Sequence, residues 1–375
     1  MSEIRKKIVF LGPAYPYRGG IASFTERLAE EFQRQNWKVK IFTFTFQYPN
    51  LLFPGKDQYR TDDSTYELDI QRTVHSINPL SWRHTAKLIE QFDPDLVIAP
   101  HWNPFMSYSM ASILKRLTCR RLVLVHNLFP HESGFFDTNL VGRLMKVDAE
   151  FLAISDSVHH DILQKYPSVS ATQYPHPLYD HYGDAVEKQK AASTLQLDGN
   201  RNYLLFFGLV RPYKGLSQLL SAFAKIQTNL PKLDLIIAGE FYESVEIYKR
   251  IIKDTGLAER VILRNDFIPE AEVASYFSVS DLIMLPYISA TQSGVGRIAT
   301  HFCKPILVTD VGSLAQMANN GKTGLVVSCN SDGIAEGILK FYNHQMSSEF
   351  KQKIELQKHS VTWTGLQEHI VNLID

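Results

Sequence analysis

The sequence is short of several things, and each shortage narrows the field. It has three cysteines in 375 residues, Cys119, Cys303 and Cys329. They are far apart and odd in number, so neither a disulfide framework nor a zinc spacing can be built from them, and a reducing, cytosolic compartment is expected. Net charge is also missing, since 39 Lys and Arg face 39 Asp and Glu. Without a basic surplus to neutralise phosphates, a protein that holds nucleic acid by bulk charge is disfavoured. Long apolar runs are absent. The longest, such as Tyr203 to Val210, are strand-length, well short of the roughly 20 residues a membrane span needs. The N-terminus is polar up to Lys7 and meets only the short run Ile8 to Leu11, too short for a signal-peptide core. A soluble protein with at most peripheral membrane contact is expected. G-x-G-x-x-G with an acidic residue about 20 positions on is lacking, which disfavours a nicotinamide oxidoreductase.

What is present is an ordinary globular composition, 45% hydrophobic and 21% charged, in a chain long enough for roughly two to three domains with sizeable cores. One theme repeats along it: a short apolar run, then a longer segment of helical period. The runs sit at 8–11, 39–44, 96–99, 122–125, 151–154, 204–207, 235–238, 261–263, 282–285 and 306–308. Many are rich in Val, Ile and Leu without alternation, as strands buried on both faces should be. Helices are expected over 21–35, 80–92, 105–118, 156–165, 215–228, 243–256, 270–279, 294–302 and 331–344. Alternating strands and helices imply parallel sheets with right-handed crossovers, an α/β class. The alternation breaks near 175–202, where Tyr174-Pro175-His176-Pro177 reads as a rigid connector and 180–202 carries no strand signal. Two doubly wound domains of similar size follow, over 1–185 and 200–358, and a last amphipathic helix over about 360–375. The polar segment 46–66 reads as a long loop.

In open parallel sheets ligands bind beyond the carboxyl ends of the strands, so the loops after each run are where chemistry is sought. The first carries Gly12-Pro13-Ala14-Tyr15-Pro16-Tyr17-Arg18-Gly19-Gly20 before a helix. Glycines let a ligand approach the backbone there, and the helix start offers free N–H groups to an anion. The strand at 203–207 ends in Gly208-Leu209-Val210-Arg211-Pro212-Tyr213-Lys214-Gly215. Two cations at a strand-to-helix turn suit a diphosphate, Arg211 as a fork and Lys214 as a point charge. The third loop, Pro286 to Gly296, places small and hydroxyl residues before a helix that carries Arg297, again an anion nest. A solvated turn is the plain alternative for each. Asp93-Pro94-Asp95 spells D-x-D, but it opens a strand and reads as a turn rather than a metal site. His126, His131 and Glu132 do not have a standard zinc spacing. Lys115, Arg116, Arg120 and Arg121 form a basic cluster, either a solvated helix end or a contact for anionic lipid.

The series F-G-L-V-R-P-Y-K-G, L-I-I-A-G-E, S-D-L-I-M-L-P-Y, C-K-P-I-L-V-T-D-V-G-S-L and N-G-K-T-G-L-V-V, in order over about 204–327, resembles the C-terminal domain of family-4 glycosyltransferases. The half over 7–155, with its Gly-rich loop, its D-P-D-L-V strand entry and His126-Asn127-Leu128-Phe129-Pro130-His131-Glu132 after a strand, is a looser match. The pattern resembles the branch found in bacterial cell-surface polysaccharide clusters. The resemblance implies a GT-B fold, two facing Rossmann-like domains with a cleft between them, the last helix packing back onto the first. It implies a retaining enzyme, a hexosyltransferase that moves a sugar from a nucleotide-diphosphate donor to a hydroxyl of a glycan or lipid-linked acceptor. No cofactor and no metal are implied, nor any nucleic-acid partner. Such an enzyme would be cytoplasmic, with possible peripheral contact at the inner face of the cell membrane.

By the same resemblance Arg211 and Lys214 hold the donor diphosphate, and His126 lies near the donor sugar. Gly19 and Gly20 match the glycine loop that faces the phosphates. Asp266, Phe267 and Ile268 match the stretch that reads the base. Ser293, Gly294 and Val295 match the amides that meet sugar and phosphate. One departure matters. The family's two glutamates, E-x7-E, align with Ala290 and Ile298 here. Some branches lack the pair and carry an S-G-V run instead. Thr291, Gln292 and Arg297 are the nearby substitutes. The departure motivates an alternative function, a non-catalytic homologue that binds a nucleotide or a partner enzyme. A sugar-nucleotide epimerase is a third reading, without a recognisable acid/base set.

Overall fold

The computed structural model describes residues 6–48, 58–60, 66–129, 137–290, 293–358 and 361–374. The unalternating run Lys7–Leu11 forms β1, and its residues from Ile8 to Leu11 are fully buried, as a strand covered on both faces requires. The same logic repeats in α1 (Gly20–Arg34), β2 (Lys38–Phe46), β3 (Ile70–His75), α2 (Pro79–Phe92), β4 (Leu96–His101), α3 (Pro104–Leu114), β5 (Arg120–Val125), α4 (Asp137–Leu144), β6 (Glu150–Ala153), α5 (Asp156–Lys165) and β7 (Ala171–Gln173). These strands form one parallel sheet in the order β3-β2-β1-β4-β5-β6-β7.

A second series begins with α6 (Lys188–Thr194) and β8 (Asn202–Phe207). It continues through α7 (Leu216–Ile226), β9 (Leu233–Ala238), α8 (Val245–Asp254), β10 (Val261–Arg264), α9 (Glu270–Val279), β11 (Leu282–Leu285), α10 (Gly294–His301), β12 (Ile306–Thr309), α11 (Leu314–Met317), β13 (Gly324–Val327), α12 (Ser331–Asn343) and α13 (Ser347–Gln357). Its parallel sheet runs β10-β9-β8-β11-β12-β13. The last helix, α14 (Trp363–Ile374), belongs with the first series.

The chain divides into two compact units. One holds Met1–Pro177 with Val361–Asp375, and the other holds Leu178–Ser360. The passage between them therefore falls earlier than 185. The segment from 180, which carries no strand signal, contains a 3-10 turn, Asp180–Tyr182, and α6, both against α9. α3 stops at Leu114, so Lys115 and Arg116 lie beyond it. Most of 46–66 lies outside the described residues.

Each sheet has an apolar layer on both faces. In the first unit, one face packs Phe42, Phe44, Val97 and Val123 under Ile89, Met106, Met110 and Ile162 of α2, α3 and α5. The other packs Ile8, Phe10, Ile98 and Leu124 under Phe24, Leu28 and Phe32 of α1 and Trp363, Leu366 and Ile370 of α14. The Trp363 ring lies 4.8 Å from Phe24, with the Arg27 guanidinium 5.2 Å from its centroid. Thr364 Oγ1 donates to Glu31 at 2.8 Å, and Glu31 pairs with Arg27 at 2.9 Å. The second unit repeats the plan, with α6, α9 and α10 on one face and α7, α8 and α12 on the other.

Candidate functional site

In each parallel sheet the strand order switches once, between β1 and β4 and between β8 and β11. At such a switch point the two flanking loops leave in opposite directions and open a crevice at the carboxyl ends of the strands. In the second unit the flanking loops are 208–215 and 286–293, the two that carry Arg211, Lys214 and Ser293.

The loops are joined backbone to backbone. Ile288 N donates to Tyr213 O at 2.7 Å. Arg211 is the residue before a one-turn 3-10 helix, Pro212–Lys214, which Pro212 starts with its fixed φ. The guanidinium of Arg211 lies 4.8 Å from the Tyr242 ring centroid, a cation–π contact that holds the fork in place. Lys214 is 8% exposed. Its Nζ lies 5.7 Å from the Tyr287 ring centroid. A side chain at Gly208 would begin 3.6 Å from both Lys214 Nζ and Val295 Cγ2, so the ammonium sits at the start of α10. Among the described residues it makes no ion pair. Burial pushes its pKa down to about 8, and the nearby Arg211 charge adds to the effect.

Small and hydroxyl residues shape the start of α10. Ser293 caps the helix, its Oγ accepting from Gly296 N at 3.4 Å and sharing a 3.1 Å hydrogen bond with Tyr287 Oη. Gly294 is exposed at the first turn, Val295 is buried, and Arg297 is half-buried. Arg297 acts electrostatically on Tyr179, a buried phenol whose pKa burial raises to about 12. Thr291 and Gln292 lie outside the described residues. Ala290 and Ile298, where the resemblance expects glutamates, are both buried in the apolar cluster. Asp266, Phe267 and Ile268 follow β10, two strands from β8, with Asp266 exposed and the other two half-buried.

In the first unit Gly19 and Gly20 are exposed at the start of α1 after β1, with no side chain capping the helix. The loop before them is fixed by Tyr15 N donating to Glu26 Oε1 at 2.6 Å and by Arg60, 3.7 Å from Glu26 Oε2. His126 follows β5, and its N–H donates to His101 O at 2.8 Å. Its ring meets Phe24 edge to face at 4.7 Å and is 3% exposed. Burial holds its pKa well below the usual histidine value, and the His176 and His101 rings add to the effect. His126 is therefore neutral at pH 7, able to share a hydrogen bond but not to supply a proton as imidazolium. His131 and Glu132 lie outside the described residues. Asp93 and Asp95 take structural contacts, Asp95 accepting from Lys7 N at 2.6 Å and Asp93 pairing with Lys7 Nζ at 3.3 Å. No cluster of three metal-ligating side chains occurs among the described residues.

Sequence reasoning missed Tyr242 and Tyr287, which seat the two cations, and Glu240, which is 1% exposed at the end of β9. Tyr287 and Glu240 stand in motifs that follow a strand, but nothing in their spacing signals burial or a ring under an ammonium.

The buried histidines carry a testable consequence. His101 is pushed down to about 4 by burial, against a 3.3 Å contact with Leu128 O that works the other way. In the unfolded chain it titrates near 6.5, so the unfolded state takes the proton first. Its contribution is complete above pH 6.5 and is lost as pH falls towards 4, amounting to about 3 kcal/mol. Between pH 7 and 4 the parent should lose about that much more denaturation free energy than His101→Gln. Equal losses would refute the burial argument.

The fold defines a class: two Rossmann-like units in tandem, the GT-B architecture. Comparison with known proteins gives the family. The model of group 1 glycosyl transferases matches residues 187–357, and that of Glycosyltransferase Family 4 matches 18–172. The chain belongs to the family 4 glycosyltransferases and is a glycosyltransferase of the EC 2.4 type. It is 25% identical to a GDP-mannose:glycolipid 4-beta-D-mannosyltransferase of Xanthomonas campestris pv. campestris, over 67% of this chain and 71% of that one. Its fold matches sucrose-phosphate synthase of Thermosynechococcus elongatus with a TM-score of 0.78, 14% identity and 98% of each chain covered. HepE of Anabaena, solved in complex with UDP-glucose, matches with a TM-score of 0.78, 14% identity, and 98% and 99% coverage of this chain and that one.

Proposed function

We propose that this glycosyltransferase moves a hexosyl group from a nucleotide-diphosphate sugar to a hydroxyl of a glycan or glycolipid in cell-surface polysaccharide synthesis, with retention at the anomeric carbon and without a metal. The observation that carries the reading is the pair Arg211 and Lys214 at the β8–β11 switch point, beside the Ser293-capped helix start. The Xanthomonas relative's name, which specifies a GDP-sugar donor and a glycolipid acceptor, supports the donor and acceptor classes but not retention. The UDP-glucose complex of HepE supports a nucleotide-sugar donor.

In the proposed reaction the bond from the anomeric carbon to the diphosphate oxygen breaks, and the acceptor oxygen bonds to that carbon. The acceptor proton goes to the departing phosphate, so no protein base is required. Negative charge grows on the diphosphate as the bond breaks. Arg211, Lys214 and the amides of Gly294 and Val295 meet it there, and being fixed in advance they need no reorganisation. These groups take the place a metal holds elsewhere. Asp266 to Ile268 are the second unit's candidates for the base, and Gly19, Gly20 and neutral His126 are the first unit's candidate donor contacts. Arg297, with Thr291 and Gln292, takes the positions near the missing glutamates.

The acceptor's lipid would bring the enzyme to the inner face of the cell membrane. Among the described residues no helix is long and apolar enough to cross one. Lys115, Arg116 and Arg120 are exposed cations for such contact, at about 1 kcal/mol each on an anionic surface. Arg121 is instead paired with Asp148 at 2.8 Å.

The test is slow donor hydrolysis without acceptor, followed by proton NMR with UDP-glucose and GDP-mannose in chelator. Retention predicts that the first sugar released keeps the donor's anomeric form and that chelator leaves the rate unchanged. Release of the opposite anomer, an outcome the beta linkage in the relative's name makes worth measuring, would overturn retention. Binding of every donor with hydrolysis of none would favour the non-catalytic alternative, whose motive is the apolar pair Ala290 and Ile298.

A further inference from the structure

A cavity of about 380 Å³ lies at the other end of the second sheet, where β11 and β12 begin. Asp281 and Pro305, the residues just before those strands, are in its wall. The loops of the donor site leave the opposite ends of the same strands, so the two places are separate. One face of α13 contributes Ser347, Lys351 and Glu355, spaced four apart. Lys188, Lys304, Lys358 and Asp184 complete the charged lining.

The charges in this wall fall into two groups. The inner ones are satisfied. Lys188 Nζ pairs with Asp281 at 2.9 Å, and Asp281 also accepts from Tyr203 N at 2.8 Å. Lys304 Nζ donates to the carbonyls of Ser278 and Ser280 at 2.9 and 2.8 Å. The outer ones face solvent instead, with Asp184, Lys351 and Glu355 exposed and Lys358 half-buried. Among the described residues Lys351, Lys358, Asp184 and Glu355 have no ion pair, although cations and carboxylates line the same void. Lys358 Nζ reaches only Cys303 Sγ, at 3.7 Å. Charged groups of both signs that line one cavity without pairing are placed for a ligand that needs both. The cations suit a phosphoryl group, and the carboxylates suit hydroxyl donors. The cation excess in the lining favours the phosphoryl end, and the volume is in the range of small-ligand pockets.

We propose that this cavity is a second binding site, for a phosphorylated sugar, with the phosphoryl group between Lys351 and Lys358 and the sugar hydroxyls on Asp184 and Glu355. Burial pushes the Lys304 pKa down to about 8, and the charges of Lys188 and Lys351 work in the same direction against Asp281. A bound dianion would relieve that repulsion.

Cys303 is a built-in reporter, since it lines the cavity beside Lys358. The other two thiols serve as controls. Cys119 is raised to about 11 by burial and by the Glu90 carboxylate, and Cys329 Sγ lies 3.5 Å from Tyr287 O. The experiment measures N-ethylmaleimide addition to each cysteine of the full chain by peptide mass, with glucose 6-phosphate, glucose or inorganic phosphate present. Glucose 6-phosphate should slow Cys303 alone, glucose should do nothing, and phosphate should protect only at higher concentration. Lys351→Gln removes a charged hydrogen bond from an exposed position that does not endanger folding. It should raise the protecting concentration by about tenfold or more. Protection should persist in Arg211→Ala, which separates this site from the donor site and leaves the outcome independent of the proposed reaction. An unchanged Cys303 rate with every probe would overturn the proposal. So would protection that survives Lys351→Gln and disappears in Arg211→Ala. If Cys303 does not react at all, calorimetric titration of the same probes decides. Heat from glucose 6-phosphate that Lys351→Gln weakens supports the site, and no heat overturns it.

Discussion

Lys214→Met should make the free protein more stable and the enzyme nearly inactive. The ammonium is buried, and its pKa is lowered from 10.5 to about 8. Holding it charged at pH 7 costs about 3 kcal/mol relative to the unfolded chain. The methionine fills similar volume without a charge, so the variant should gain about 1–3 kcal/mol in denaturant titration. It should also lose transfer by about a hundredfold to thousandfold, the usual effect of removing one fixed group that meets developing charge. A pH signature follows. The free protein is charged at Lys214 below pH 8 and loses that charge above it, so the affinity for a nucleoside diphosphate should be flat from pH 7 to 7.5. It should fall about tenfold by pH 9, until the pKa of the complex is passed. Lys214→Met should show no such fall. A variant that is less stable than the parent and binds equally well would show that the ammonium is only a core group with a solvated tip.

Gly215→Ala should break the site from a residue that never touches the ligand. Gly215 ends the Pro212–Lys214 turn and starts α7 at φ 72, in the left-handed region. A Cβ there would lie 1.9 Å from the Pro286 carbonyl oxygen, a distance no relaxation of a flexible side chain can absorb. The loop that carries Tyr287 and leads to Ser293 would have to move away from the loop that carries Lys214. We expect a stability loss above about 3 kcal/mol, combining backbone strain with overpacking, and loss of diphosphate binding. Gly256→Ala is the control. Its φ is 69, but a Cβ there meets nothing within 4 Å. Only the left-handed cost of about 1–2 kcal/mol should appear, with binding intact. Similar effects for both variants would mean that the joined loops do not position the site.

Much of the fold was legible because central parallel strands are continuous apolar runs, and those at 8–11, 96–99, 204–207 and 282–285 became β1, β4, β8 and β11. The strands missed were β3, β7 and β13. All three lie at or beside sheet edges, where one side is unpaired and the sequence turns polar or short, as in Ile70–His75 and Ala171–Gln173. α6 was missed because its Lys-Gln-Lys start hides Ala191 and Ala192, small residues that suffice to pack it against α9. The candidate site was half legible. Arg211, Lys214 and Ser293 could be chosen because their loops follow strands. The burial of Lys214, the ring of Tyr242 beside Arg211 and the hydroxyl pair of Tyr287 and Ser293 depend on which strands become neighbours, which no local pattern carries.

The central claim is that the second unit holds a nucleoside diphosphate at the β8–β11 switch point through Arg211 and Lys214. Calorimetric titration of UDP, GDP and ADP, each against its nucleoside, into parent and Arg211→Ala tests it most directly. The account predicts that one diphosphate binds the parent far more tightly than its nucleoside. Arg211→Ala should remove most of that difference, about 1.5–3 kcal/mol for a charged hydrogen bond, while the nucleoside's own affinity stays as it was. Binding of diphosphate and nucleoside with equal affinity, or an Arg211→Ala variant that keeps the full difference, would contradict it.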